Sequence, residues 1–298
     1  MILRRALAAF AFLAALAAHA LSVATYNVEN YLVADRMVEG VFRKEYPKPE
    51  AEKRALRQAI KAMAPDILAV QEMGRAPFLE ELQRDLKAEG LDYPHAVVLE
   101  AADPDRHVAV LSKLPFKGVR EHARIPVKYL GQSDVVKRGL LEATFATREG
   151  DLTVFVVHLK SRRTERPDDP EGAAQRAAEA EAVRDAVLER FPDPAGGRFI
   201  VCGDWNDTRN SKPVRTLAKR GGTVVGEILR AYDSRGETWT HAYRREDTYS
   251  RIDYLMVSPG LKPFVRNKGN ARIHDGPGVR DASDHRPVYA QFDLTPVP

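Results

Sequence analysis

The sequence predicts an α/β fold in which two strand-rich blocks, each carrying helices, pack sheet against sheet with the helices outside. Three observations predict it. Short apolar, β-branched runs alternate with longer amphipathic segments along the 298 residues. No repeat, low-complexity tract or linker divides them. Polar residues able to do chemistry gather at the ends of the apolar runs rather than inside them.

Residues 1–20 stand apart. Arg4 and Arg5 precede an uncharged Ala/Leu/Phe stretch over 6–18, and Ala18-His19-Ala20 follows. A charged start, an apolar centre and a small-x-small site make up a secretory signal peptide. The apolar run is short of the roughly 20 residues a bilayer span requires. We therefore expect cleavage after Ala20, a secreted or periplasmic product, and one domain over residues 21–298. Removing residues 1–20 takes away two arginines and no acid, so net charge falls from +4 to +2. That balance permits a polyanionic substrate without demanding one.

Residues 22–27 open the fold as a strand. The segment 50–63 has Ala55, Ala59 or Ile60, and Met63 on one face and predicts a helix. Pro65-Asp66 breaks it before a buried strand at 67–70. A second helix covers 78–89 and ends at Gly90. Strands are expected at 95–99, 108–111, 118–122, 140–147 and 152–158, the last two joined by a turn at Glu149-Gly150-Asp151. The longest helix, 171–190, carries Val183 and Val187 one turn apart. A strand at 198–202, a short helix at 213–220 and strands at 237–241, 251–257, 265–273 and 286–293 complete the set. The single cysteine, Cys202, lies in an apolar run and reads as a small buried hydrophobe. There is no Cys/His zinc spacing, so any metal must be held by oxygen donors.

The chemistry lies at the strand ends. The first run closes with Tyr26-Asn27-Val28-Glu29-Asn30, the next with Gln71-Glu72, and a third with Val157-His158-Leu159-Lys160. Gly203-Asp204-Trp205-Asn206-Asp207 follows the strand at 198–202, and Asp281-Ala282-Ser283-Asp284-His285-Arg286-Pro287 lies near the C-terminus, with Arg251-Ile252-Asp253 between. We expect these groups at C-terminal strand ends, where α/β folds tend to build sites. Any one of them would serve equally as a cap or turn residue. Together they supply what a metal-assisted hydrolase needs, since an unpaired charge inside a strand costs several kcal/mol. Asp253 has the alternative of pairing with Arg251, and Tyr26, Trp205 and Trp239 read as packing residues.

With these motifs in order, the chain resembles the endonuclease/exonuclease/phosphatase superfamily, which includes pancreatic deoxyribonuclease and exonuclease III-type enzymes. The most specific pieces are Gly203-Asp204-Trp205-Asn206 and Ser283-Asp284-His285. The resemblance implies a four-layer α/β sandwich, with two packed mixed β-sheets flanked by helices, and a Mg²⁺ or Mn²⁺ site. It makes Glu72 the central metal ligand, supported by Asn27, Glu29 and Asp284, all hard oxygen donors. His285 becomes the imidazole at the scissile phosphate, acting as base or charge stabiliser, with Asp253 on its other nitrogen. Asp204 and Asn206 position the attacking water, His158 donates to the phosphate, and Arg138 and Lys160 bind substrate. The pattern departs most at Arg106–Ser112, where His107 acquires only a weak substrate-facing reading.

The resemblance implies a divalent-metal-dependent phosphodiester hydrolase. Export and mild positive charge favour a monomeric, low-specificity nuclease acting on nucleic acid. The alternative is a phosphodiesterase or phosphatase for phospholipid head groups or small phosphoesters, without stable membrane insertion. No exposed aromatic or aliphatic loop suited to a bilayer is visible in the sequence. A non-catalytic binding module on the same fold should have lost ligands, yet the whole set is present. The basic loop 160–166 reads as a solvated segment diluted by Glu165, Asp168, Asp169 and Glu171.

Overall fold

The computed structural model describes residues 20–297. The expected signal peptide therefore lies outside the described residues apart from Ala20. No helix among the described residues is long and apolar enough to cross a membrane.

Two large mixed sheets form the centre. In chain order their strands are β1 (Leu21–Tyr31), β2 (Ile67–Met73), β3 (His95–Leu99), β4 (His107–Ser112), β5 (Gly118–His122), β6 (Leu140–Phe145), β7 (Leu152–His158), β8 (Phe199–Asp204), β9 (Glu227–Ile228), β10 (Ala231–Tyr232), β11 (Asp253–Val257), β12 (Ala271–Ile273) and β13 (Val288–Phe292). The first sheet runs β10-β12-β13-β1-β2-β4-β3 and the second β9-β11-β8-β7-β6-β5. β1 and β2 are parallel, as are β7 and β8. Helices α1 (Glu50–Met63) and α2 (Ala76–Ala88) cover the first sheet, and α3 (Ala173–Arg190) and α4 (Lys212–Ala218) the second.

Strand periodicity builds the layers, because alternate side chains point to opposite faces. Val23, Ala69 and Val110 of the first sheet meet Val154, Val156, Ile200 and Leu255 of the second in the central core. Their neighbours Ala24, Leu68 and Val70 face outward against Leu56 and Ile60 of α1 and Leu82 of α2. On the far side Phe155, Val157 and Val201 pack on Val183 and Val187 of α3. The expected four-layer sandwich is the observed one. Replacing a fully buried Phe155 by Ala would cost about 3–5 kcal/mol. Cys202 lies in the central core and burial pushes its thiol up to about 12, so it packs as a small apolar group.

Several expected elements differ. Residues 237–240 are loop; the strand is His241–Tyr243, paired with Thr248–Ser250. Trp239 in that loop stacks on the Arg286 guanidinium, 3.3 Å from its ring centre, which favours an open chain there. Of 265–273 only Ala271–Ile273 is strand, because Asn267 and Lys268 adopt left-handed φ/ψ before it. Two hairpins were not apparent from sequence pattern: Val33–Val38 with Val41–Pro47, and Pro126–Tyr129 with Gln132–Val135. The first turns through Glu39 and Gly40, both at positive φ as a two-residue primed turn requires. It exposes Met37, Val41 and Phe42. This overturns the expectation that no apolar loop stands free; the hairpin's mixed composition (Arg36, Arg43, Lys44 among the apolar residues) concealed it.

Candidate active site

A cavity of about 910 Å³ opens at one edge of the sandwich and collects most of the expected residues. The strand pairing places them. His158 and Asp204 end the parallel strands β7 and β8 side by side, and Asp253 opens antiparallel β11 directly opposite Asp204. Asn27 is near the end of β1, while Asp284 and His285 precede β13, antiparallel to it. The expectation that every group sits at a C-terminal strand end is thus corrected. Asp253 and His285 reach the same edge from the starts of strands that run the other way.

Backbone irregularities aim the side chains. The β1–β2 register breaks after Asn27 and the β2–β4 register after Gln71. Glu29, Asn30, Glu72 and Asn206 all adopt positive φ, between 47° and 61°. Non-glycine residues in this region are uncommon and concentrate at functional positions. Bulges of this kind re-aim side chains at sheet ends. Gly203, at φ 139°, is required by close packing: a Cβ there would lie 1.8 Å from the Val157 carbonyl oxygen.

Hydrogen bonds tie the two sheets together at the site. Asn27 Nδ2 donates to Asp204 Oδ2 at 3.0 Å, and the Asn206 amide donates to Asp204 Oδ1 at 2.8 Å. Asn206 Nδ2 donates to the Leu159 carbonyl at 3.0 Å and to Asp204 Oδ2 at 3.2 Å. His285 Nδ1 bonds Asp253 Oδ2 at 2.9 Å, so Asp253 pairs with the imidazole and not with Arg251. His285 Nε2 then lies 3.8 Å from both Asp204 Oδ2 and Asp284 Oδ1. Burial would push His285 down, but the Asp253 carboxylate, Asp284 and Asp204 outweigh it and hold the ring well above its ordinary value. His158 is the opposite case. Burial, then Arg138 and His285, hold it well below, although its Nε2 is 3.6 Å from Asp204 and 3.9 Å from Glu72.

The carboxylates are crowded. Burial and the neighbouring Asp284 push Glu29 up to about 7, and burial and Asp253 push Asp204 up to about 7. Asp284 is held at about 2: burial opposes this, but His241, His285 and Lys48 stabilise its charge. Such a concentration of hard oxygen donors fits a divalent cation, which would relieve the repulsion. The expected ligands are linked through the backbone. Glu29 Oε2 accepts from the Asp284 amide at 2.9 Å and Glu72 Oε2 from the Asn30 amide at 3.0 Å. They do not form a closed triplet by themselves. Among the described residues the triplets with ligand atoms within 4.8 Å of one another are His241–Asp284–His285 and Asp204–Asp253–His285.

Other placements follow. Arg138 faces the cavity, oriented by Asp103 Oδ2 at 2.7 Å. Lys160 also lines it, with Nζ donating to the carbonyls of Ser161 (3.0 Å) and Arg163. Arg162 and Arg163 line the cavity too, so the basic loop forms part of the site and is more than a solvated segment. His107 is buried within β4 and does not line the cavity. Tyr26 and Trp205 are fully buried packing residues, as expected. Two residues escaped sequence reasoning. His241 packs against His285 with ring centres 4.7 Å apart and planes tilted by 46°; a lone histidine in a polar segment carries no signal. Glu179, fully buried on α3, accepts from the Lys160 amide at 2.8 Å and the Lys137 amide at 3.3 Å, tying together the two segments that carry Arg138 and Lys160. A charged residue on an alanine-rich helix gave no sign of facing inward.

The sequence profile of the Endonuclease/Exonuclease/phosphatase family matches residues 24–285. No curated protein sequence matches the chain. Among solved structures, the human Nocturnin catalytic domain with bound sulfate superposes with a TM-score of 0.64 at 19% identity, over 93% of this chain and 95% of that one. Sphingomyelinase C from Streptomyces griseocarneus gives 0.63 at 20%, over 92% and 99%. A variant of beta toxin from Staphylococcus aureus with bound magnesium ions gives 0.61 at 15%, over 92% and 99%. At these identities the likeness is one of fold.

Proposed function

Because this chain belongs to the Endonuclease/Exonuclease/phosphatase family, a family of metal-dependent phosphoric ester hydrolases, we propose that it is an exported, low-specificity nuclease using Mg²⁺ or Mn²⁺. The observation that carries the substrate is the lining of the main cavity. Arg106, Arg138, Lys160, Arg162 and Arg163 share it with the acidic centre. Cations beside the reacting group suit a strand with many phosphates, because each neutralised phosphate adds affinity.

Glu72 would hold the ion, with Glu29, Asn27 and Asp284 about it, and the ion would supply Lewis-acid stabilisation of the developing phosphate charge. The remaining steps belong to the chain. His285, kept protonated by Asp253, donates from Nε2 to a phosphate oxygen, so its role is charge stabilisation. Asp204, anchored by Asn27 and Asn206, is the group placed to take the proton of the attacking water. His158, kept neutral, donates to a second phosphate oxygen, and Arg138 offsets the remaining charge. Donors aimed at the developing charge each contribute about 10²–10³ in rate.

A second reading has one specific observation in its favour. The exposed hairpin Val33–Val38/Val41–Pro47 continues β1 directly beyond Asn30, which lines the cavity. Its Met37 and Phe42 pair across the strands at 61% and 56% exposure and could enter a lipid interface, favouring a phospholipid head group. One panel separates the two. Purified protein with Mg²⁺ or Mn²⁺ is given plasmid DNA, RNA, bis-p-nitrophenyl phosphate and sphingomyelin vesicles, with His285→Ala as control. Nucleic acid cleavage lost in the variant supports the nuclease. Inert nucleic acid with hydrolysed sphingomyelin refutes it in favour of the second reading.

A further inference from the structure

Beside the main cavity lies a second concavity of about 570 Å³. Arg209, Arg230 and Arg251 line it together with Thr208, Asn210 and Tyr232, and no carboxylate does. The buried arginines of the fold meet acids: Arg57 meets Glu89, Arg138 meets Asp103, Arg176 meets Asp207 and Arg286 meets Asp233. Here, by contrast, Arg251 is half-buried and Arg209 and Arg230 are exposed. Among the described residues none of the three arginines here has a carboxylate within 4.0 Å. Their hydrogen bonds are to backbone only, from Arg251 Nη2 to the Leu229 carbonyl at 2.7 Å and from Arg209 Nη2 to the Ile228 carbonyl at 3.4 Å. Arg251 Nε is buried without a partner.

Three like charges sharing a pocket with no acid repel one another, and a buried donor without a partner costs about 1–3 kcal/mol. An anion with several acceptor oxygens relieves both, and a guanidinium fork matches a phosphate. Burial, with Arg209 nearby, lowers Arg251, the direction expected where a counter-charge is missing. Thr208 lines both cavities and lies two residues after Asn206, so the two openings are contiguous along the same edge.

We propose that the Arg209–Arg230–Arg251 concavity is a subsite for a second phosphate of an extended substrate strand, distinct from the scissile phosphate. The proposal rests on the phosphodiesterase reading of the main cavity and narrows it to polyanions. A phospholipid head group with one phosphate would leave this subsite unfilled.

The test uses Arg209→Ala, Arg230→Ala and their double variant, all at exposed positions, and Arg251→Lys, which keeps charge but loses the fork. Substrates are a dodecamer of single-stranded DNA, a dinucleotide and bis-p-nitrophenyl phosphate. For the double variant we expect KM on the dodecamer to rise about tenfold or more, and its salt-dependence slope to fall by about 1 per lost contact. kcat, and the kinetics on both short substrates, should stay unchanged. Dodecamer KM and salt slope equal to wild type would overturn the subsite. If wild type does not cleave the dodecamer, plasmid DNA and RNA decide the nuclease reading, and calorimetric titration with tripolyphosphate decides the subsite alone. Binding that weakens in the double variant upholds it, while equal or absent binding overturns it.

Discussion

Asp253 offers the sharpest probe of the site, because its one side-chain hydrogen bond is to His285, while its charge also bears on Asp204. Asp253→Asn keeps volume and shape while replacing one charged oxygen by a neutral amide. The bond it disturbs is 2.9 Å long and both side chains are buried, so water cannot substitute. A hydrogen bond to a charged group contributes about 1.5–3 kcal/mol. At 1.36 kcal/mol per decade, losing it in the transition state lowers kcat by about 10–150-fold. Turnover of bis-p-nitrophenyl phosphate under saturating metal measures this without strand binding entering. The double variant Asp253→Asn/His285→Ala should be no slower than His285→Ala, since residues acting as a unit are not additive. Thermal unfolding of each variant separates lost catalysis from lost structure. An Asp253→Asn enzyme within threefold of wild type, or a further loss on the His285→Ala background, would refute the orienting role.

Three further outcomes are expected. EDTA should abolish hydrolysis and Mg²⁺ or Mn²⁺ restore it, and the added ion should raise Tm because it binds only the folded site; activity in chelator would remove the metal from the mechanism. Gly203→Ala should yield little soluble protein, since its Cβ would fall 1.8 Å from a backbone oxygen at a φ of 139°; a well-folded variant would show that β7 and β8 can separate there. Acid should weaken the fold through Asp233. Burial opposes its ionisation, but Arg286 and the amides of Glu237 and Arg235 hold it at about 2, below its ordinary 3.8. Its stabilisation of about 1–2 kcal/mol is therefore complete above pH 4 and lost as pH falls towards 2. Asp233→Asn should flatten that part of the stability profile in urea titrations.

Legibility followed the physics of each residue. The two sheets were readable because β-branched runs such as 152–158 and 199–202 have no other use for so many buried apolar groups. Asp204, Asp253 and His285 were readable because charges abutting such runs need a reason. Strand direction was not readable, since an apolar run reads the same both ways; hence the error over which end of β11 and β13 feeds the site. The hairpin at 33–47 was hidden for a related reason: its apolar residues face solvent, so pattern and burial disagree. Glu179 and His241 act through contacts across 19 and 44 residues, to the Lys160 amide and the His285 ring, and no local spacing records those.

The bond from Asn27 to Asp204 joins residues 177 apart in sequence and spans the seam between the sheets. Each sheet owns only half of the reactive centre. Catalytic competence therefore requires the two sheets to be docked and not merely formed, and contacts of such span are slow to close. Whatever occupies the seam acts as a rivet, lending its own binding free energy to the docked sandwich. Opening the halves by a few ångströms would silence the protein long before circular dichroism registered any loss of strand.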